Sequence, residues 1–212
     1  MCTFDKSVVR RARLRAADMG KLPNSFGIGC GGATVGFVGE ACVKQFLADN
    51  GIPSLIFDSA DYDLVAGPAN TKLEVKTMQV RSAPQPTYLN PVLARSRLQQ
   101  ADMYVFVRVV FDDQSDLDKG GTAFFCGSLP CAQLTQLGTL RKQGDIVHGY
   151  PVKQDCWTVA IEACVPWTET AQRLQSCKAP VDESAAPGRA SGQGPVKCKC
   201  RWGLVCFACA TQ

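Results

Sequence analysis

The chain has 212 residues, 46% of them hydrophobic, and a formal net charge of +4. This ordinary globular composition supports one sizeable core, with a main domain of about 165–175 residues and a tail. It excludes a membrane-spanning chain, because no apolar run approaches the roughly 20 residues a span needs. The opening Met1-Cys2-Thr3-Phe4-Asp5-Lys6 has no apolar h-region, so it does not read as an export signal. Twelve cysteines are many, yet Cys30, Cys42, Cys126, Cys131, Cys156 and Cys164 stand singly in apolar or strand-like surroundings, as buried free thiols do. A reducing, intracellular setting is therefore expected, in cytoplasm or nucleoid, or in a host cell for a viral protein.

In chain order, residues 4–19 read as a basic helix with Phe4, Val8, Val9, Ala12 and Ala16 as its apolar stripe. Between Asp5 and Lys21 six basic residues (Lys6, Arg10, Arg11, Arg13, Arg15 and Lys21) face only Asp5 and Asp18, so this segment matches the net charge of the whole chain. Such a cluster suits phosphate contact, with a solvated helix face as the alternative. The glycines of residues 27–32 break the chain; they lack the Gly-Lys-Ser/Thr ending of a phosphate loop. Thr34 is placed as the N-cap of a second helix running to about Asn50, with Gly51 as its stop.

Strands follow at Leu55–Phe57, Tyr62–Ala66 and Lys72–Val80, with a turn at Gly67-Pro68-Ala69-Asn70. Residues 81–91 read as loop and Pro91–Gln100 as a helix. Next come a strongly apolar strand at Met103–Phe111, a polar turn, a strand at Thr122–Gly127, a short helix at Pro130–Leu137, a strand at Trp157–Ile161 and a last helix ending near Cys177. The predicted domain spans 1–177; residues 178–196, rich in Pro, Gly, Ala and Ser, form a linker, and 197–212 a cysteine-rich tail. The element order implies an α/β fold built on a mixed sheet.

The informative window joins Asp63 to Glu74-Val75-Lys76 across ten intervening residues and a tight turn. Two adjacent strands would set Asp63 beside Glu74. Glu74 and Lys76, two apart, share a face while Val75 enters the core. Paired carboxylates with a lysine suit a hard divalent cation such as Mg²⁺ (or Mn²⁺), which needs only one or two protein carboxylates because it keeps its waters. The Val75 carbonyl is a further candidate ligand, and Lys76 is placed to position the attacking water or to neutralise charge building on a phosphate. Asp58 and Asp61 are nearby competing carboxylates, better read as solvated loop residues. Thr77 and Gln79 continue the strand. Arg81, Arg95 and Arg97 follow the site, with Arg81 the nearest candidate for a phosphate contact. His148, the single histidine, has no partner signature.

On Asp63, Glu74-Val75-Lys76 and the preceding Glu40 helix, the sequence resembles the PD-(D/E)XK nuclease superfamily, which includes restriction endonucleases and Holliday junction resolvases. The motif-bearing resemblance covers about residues 34–80. It implies a restriction endonuclease-like central mixed β-sheet flanked by helices, with Glu40 completing a metal site made by Asp63, Glu74 and Val75. Tyr62 stands where the family's naming proline sits. The implied activity is Mg²⁺-dependent endonucleolytic hydrolysis of DNA, with a homodimer as one way to cut both strands. The rival is a catalytically inactive nuclease-fold subunit that binds nucleic acid or a protein assembly.

The tail offers Cys198, Cys200, Cys206 and Cys209 within twelve positions. Four thiolates suit tetrahedral Zn²⁺; an iron–sulfur cluster, carried by some nucleases of that superfamily, and a metal-free hydrophobic tail are the alternatives. Lys197, Lys199 and Arg201 with Trp202 and Phe207 make a basic, aromatic surface suited to nucleic acid. Arg10, Arg11, Arg13 and Arg15 are the expected contacts elsewhere.

Overall fold

The computed structural model describes residues 1–19, 30–57, 61–94, 100–113, 116–147 and 149–176. The expectations for Asp58, Arg95, Arg97, His148, the linker and the four tail cysteines fall outside them.

The chain begins with a short strand, β1 (Cys2–Phe4), and Asp5 then starts the first helix, α1 (Lys6–Met19). The Asp5 carboxylate accepts the Ser7 N–H at 2.8 Å and the Val8 N–H at 3.2 Å, satisfying donors that a helix start leaves open. Phe4 is therefore not the first residue of the helical stripe. It lies on β1, edge-on to Phe111. Helix α2 (Cys30–Asp49) begins before the expected cap: Thr34 is buried inside it. It ends where Gly51 takes a positive φ and the Ile52 N–H turns back to the Leu47 carbonyl.

Strands β2 (Ser54–Ile56), β3 (Leu64–Ala66), β4 (Thr71–Gln79), β6 (Met103–Phe111) and β7 (Gly121–Pro130) form one sheet with β1, in the order β1-β7-β6-β4-β3-β2. Only the β4–β6 pair is parallel, so the sheet is mixed. The turn between β3 and β4 is the expected 67–70, and Gly67 is obligatory there. Its φ is +71°, and a Cβ would lie 2.4 Å from the Leu174 carbonyl of the last helix, α4 (Trp167–Ser176).

A second sheet departs from the sequence reading except at its central strand, which matches the one expected at Trp157–Ile161. Leu89–Leu93 is a strand, β5, where loop and then helix were expected. It lies beside β11 (Cys156–Ala160), which also pairs with β8 (Thr139–Arg141). Pro91 marks helix starts and edge strands alike, and here the edge position wins. A short helix, α3 (Leu134–Leu137), precedes β8, and a two-stranded hairpin of β9 (Ile146–Val147) and β10 (Tyr150–Pro151) precedes β11.

The main sheet is covered on both faces. Alternation along β6 directs Val105, Val107 and Val109 to one side, where Val9, Val38, Val43, Leu47, Trp167 and Leu174 of α1, α2 and α4 meet them. Tyr104 and Phe106 point to the other side, where they pack with Val92 and Val159 of the small sheet and with Leu134. The fold is thus α/β, a mixed sheet flanked by helices. Among the described residues no helix is long and apolar enough to cross a membrane.

Candidate active site

Strands β3 and β4 pair for only three residues, Leu64 with Leu73, Val65 with Lys72 and Ala66 with Thr71. One step further the chains part, and Asp63 sits at the fork. Its N–H still reaches the Leu73 carbonyl at 2.9 Å, but its carboxylate, through Oδ2, accepts the Val75 N–H at 2.7 Å. A side chain has replaced the next rung of the ladder. Because the N–H and C=O of one strand residue point the same way, the Val75 carbonyl also faces the fork. Val75's side chain lies in the helix-side core, as expected.

Glu74 and Lys76 project from the opposite face of β4, beside their register partners Tyr104 and Phe106. The Lys76 ammonium donates to Glu74 Oε1 at 2.5 Å. Glu74 is buried, whereas the Lys76 side chain keeps 28% of its surface. Burial and the Glu74 charge push Asp63 up to about 6; the Val75 N–H, Lys76 and Arg15 pull it back. Glu74 also acts beyond the motif. Its charge adds to the burial that raises both the Tyr104 hydroxyl and the Cys131 thiol, the latter to about 11.

Helix α2 lies directly on this part of β4. Gly39 makes that possible, since a Cβ would fall 1.8 Å from the Thr77 hydroxyl oxygen. The next residue, Glu40, is buried and receives the Arg15 guanidinium of α1 at 2.5 Å. Arg15 also lies over the Phe37 ring, 4.1 Å from its centroid. The structure thus brings Asp63, Glu74, Val75 and Lys76 together and sets the Glu40–Arg15 pair beside them, near enough for Arg15 to act on Asp63. Among the described residues no three His, Cys, Asp or Glu side chains are gathered closely enough to hold an ion by themselves. The donors at the fork are two carboxylates and a carbonyl. Two facing, largely buried carboxylates, one held well above its ordinary value, form an electrostatic arrangement that a divalent cation relieves, and Mg²⁺ needs no larger protein donor set.

The expected phosphate-contacting arginines divide. Arg15 is committed to Glu40, and Arg13 pairs with Asp118 at 2.8 Å. Arg10 and Arg11 are exposed on α1, Arg11 donating to the Ser7 hydroxyl at 3.2 Å, and Arg81 is exposed just past β4. Strand β4 runs without a bulge, so Gln79 faces away from Lys76. Asp61 is exposed beside the half-buried Tyr62. Sequence reasoning missed Arg15 as Glu40's partner, and Tyr104 and Cys131 as neighbours of Glu74. These contacts join elements far apart in the chain and carry no local signature.

No protein-family model matches the chain, and no curated protein matches it.

Proposed function

We propose that the chain is a metal-dependent endonuclease that hydrolyses DNA phosphodiester bonds, on a fold of the restriction endonuclease-like, PD-(D/E)XK kind. The observation that supports this most is the fork: two strands part where one carboxylate caps the Val75 N–H, a second lies across from it, and a lysine stands two residues on. Asp63, Glu74 and the Val75 carbonyl would hold Mg²⁺ or Mn²⁺. Bound there, the cation would supply Lewis-acid chemistry: charge neutralisation at the phosphate and a lowered pKa for a coordinated water.

The chain's own residues do the rest. Asp63 is anchored by the Val75 N–H, so its second oxygen is presented in a fixed direction. Glu74, held between Tyr104 and Lys76, supplies the other carboxylate. Lys76 is the more exposed member. Released from Glu74, its ammonium orients water or meets the charge developing on the phosphate. Glu40 supports the site by holding Arg15, whose guanidinium adds to the charge that favours ionised Asp63.

The test is cleavage of supercoiled plasmid and labelled oligonucleotides in Mg²⁺ or Mn²⁺, stopped by chelation. Asp63→Asn and Lys76→Ala should each lower the rate by about a hundredfold or more without altering the circular dichroism spectrum. Undiminished cleavage by either variant rejects the assignment.

A further inference from the structure

A groove of about 850 Å³ runs along the lysine-bearing face of the main sheet, between β5, β11 and the β9–β10 hairpin. A smaller cavity of about 240 Å³ beside Lys76 shares Met78 and Pro91 with it. The volume suits one bound organic group. Three observations define what that group is.

The first is Arg108, which lines the groove and is only 4% exposed. It is the register partner of Met78, two residues on from Lys76. Its guanidinium donates to the Leu89 carbonyl at 2.6 Å and to the Asn90 side-chain oxygen at 3.0 Å. Both acceptors are neutral, the Cys126 thiol beside the guanidinium is kept protonated by burial, and among the described residues no carboxylate stands within ion-pair distance of Arg108. A cation buried without a counter-charge is costly, and an anion entering the groove offsets that cost. Lys153 adds a second positive charge to the wall.

The second is aromatic surface. Tyr88 lines the groove with its ring 5.9 Å from the Arg108 guanidinium carbon, and Tyr150 of the hairpin is 77% exposed over it. Exposed rings beside cations are how proteins take single nucleotides, by stacking the base and pairing the phosphate. The third concerns the competing occupant. An added peptide strand needs an open ladder of N–H groups, and Pro91 removes one from the edge strand β5.

We propose that this groove receives an unpaired nucleotide of the substrate strand, its base against Tyr88 and Tyr150 and its phosphate on Arg108 and Lys153. This rests on the nuclease reading and narrows it: the preferred substrate carries single-stranded character next to the cleaved bond, as at a flap, a bubble or a junction.

The probe is a 5′-fluorescein-labelled oligothymidylate of eight nucleotides, titrated with the full chain in EDTA and followed by anisotropy. Tyr150→Ala and Lys153→Ala change exposed residues and leave the fold intact. Each should weaken binding of the probe by about tenfold, and Tyr150→Phe should restore most of the stacking contribution. Arg108→Gln should weaken it further, but its burial makes it the less decisive variant. Full affinity in the Tyr150→Ala/Lys153→Ala double variant overturns the proposal and leaves the groove to a peptide or an apolar small molecule. The two readings separate cleanly. A chain that cleaves DNA in Mg²⁺ while the double variant keeps full affinity loses the groove and retains the nuclease. A chain that cleaves no DNA, but whose variants lose the probe, retains the groove and loses the nuclease.

Discussion

Asp63 is the residue on which electrostatics and hydrogen bonding disagree most openly. Burial and Glu74 favour its protonated form, while the Val75 N–H, Lys76 and Arg15 favour the charged one, and the balance leaves it near 6 rather than near 4. A carboxyl whose pKa is raised on folding binds its proton more tightly in the native state. The Asp63 contribution to native stability is therefore greatest below about pH 4, declines as pH rises towards 6, and then levels off at a cost on the order of 3 kcal/mol. Asparagine keeps the acceptor for Val75 and removes the charge. In EDTA, Asp63→Asn should exceed the wild type in denaturant stability by up to that amount at pH 8, with the difference closing by pH 4. Urea titrations across this range check it, and a pH-independent difference would rule out Asp63 as its source. The sign reverses for ligation, because a cation needs the charged form. Mn²⁺ affinity measured by calorimetry should rise as pH passes through 6 and then level off.

At the level of elements, the site depends on how closely α2 approaches β4, and two glycines on that helix make opposite predictions. Gly39 meets Thr77 with no room for a Cβ, whereas Gly36 has nothing within 4 Å of where one would sit. Gly36→Ala should gain helix propensity, about 0.5–1 kcal/mol. Gly39→Ala gains the same propensity but must lift the helix or rotate Thr77, so a net loss of about 1–3 kcal/mol is expected. Thermal or urea unfolding of the two variants tests the contrast, and equal effects would mean that α2 does not rest on β4 at Gly39. The same elements show what was legible beforehand. Strand β6 matches Met103–Phe111 to the residue because a long apolar run allows one reading. The β3–β4 pairing was legible because a four-residue turn leaves few registers. Helix α2 was placed late because Thr34 makes a good cap in isolation, while the helix runs on N-terminally through Gly31 and Gly32, residues that carry no helix-favouring signal. Of the small sheet, β11 was legible as the expected strand at Trp157–Ile161, whereas β5 and β8 were missed because they are short, β5 contains a proline, and its partners on β11 lie some 65 residues away along the chain.

Across the whole molecule the two faces of the main sheet are unequal, and this bears on both the site and the groove. Among the described residues, the helix side buries 23 hydrophobic residues in one cluster and the small-sheet side eight. Val75 is anchored in the larger cluster, while Glu74, Lys76 and Arg108 look toward the smaller one, so the proposed site is mounted on the firmly packed layer and faces the weaker. Hydrophobic stabilisation follows the area removed from water, so the two sides should not open together. Native-state hydrogen exchange should show the amides of β5, β8 and β11 exchanging through a partial opening of lower free energy than that protecting β4 and β6. Asn90, which accepts from Arg108 across the sheets, ties the groove wall to that weaker layer. A ligand that pairs with Arg108 should therefore raise protection in β5 and β11 and leave β4 and β6 unchanged. One common exchange free energy for all five strands would instead make the two faces a single cooperative unit, with the groove as rigid as the fork.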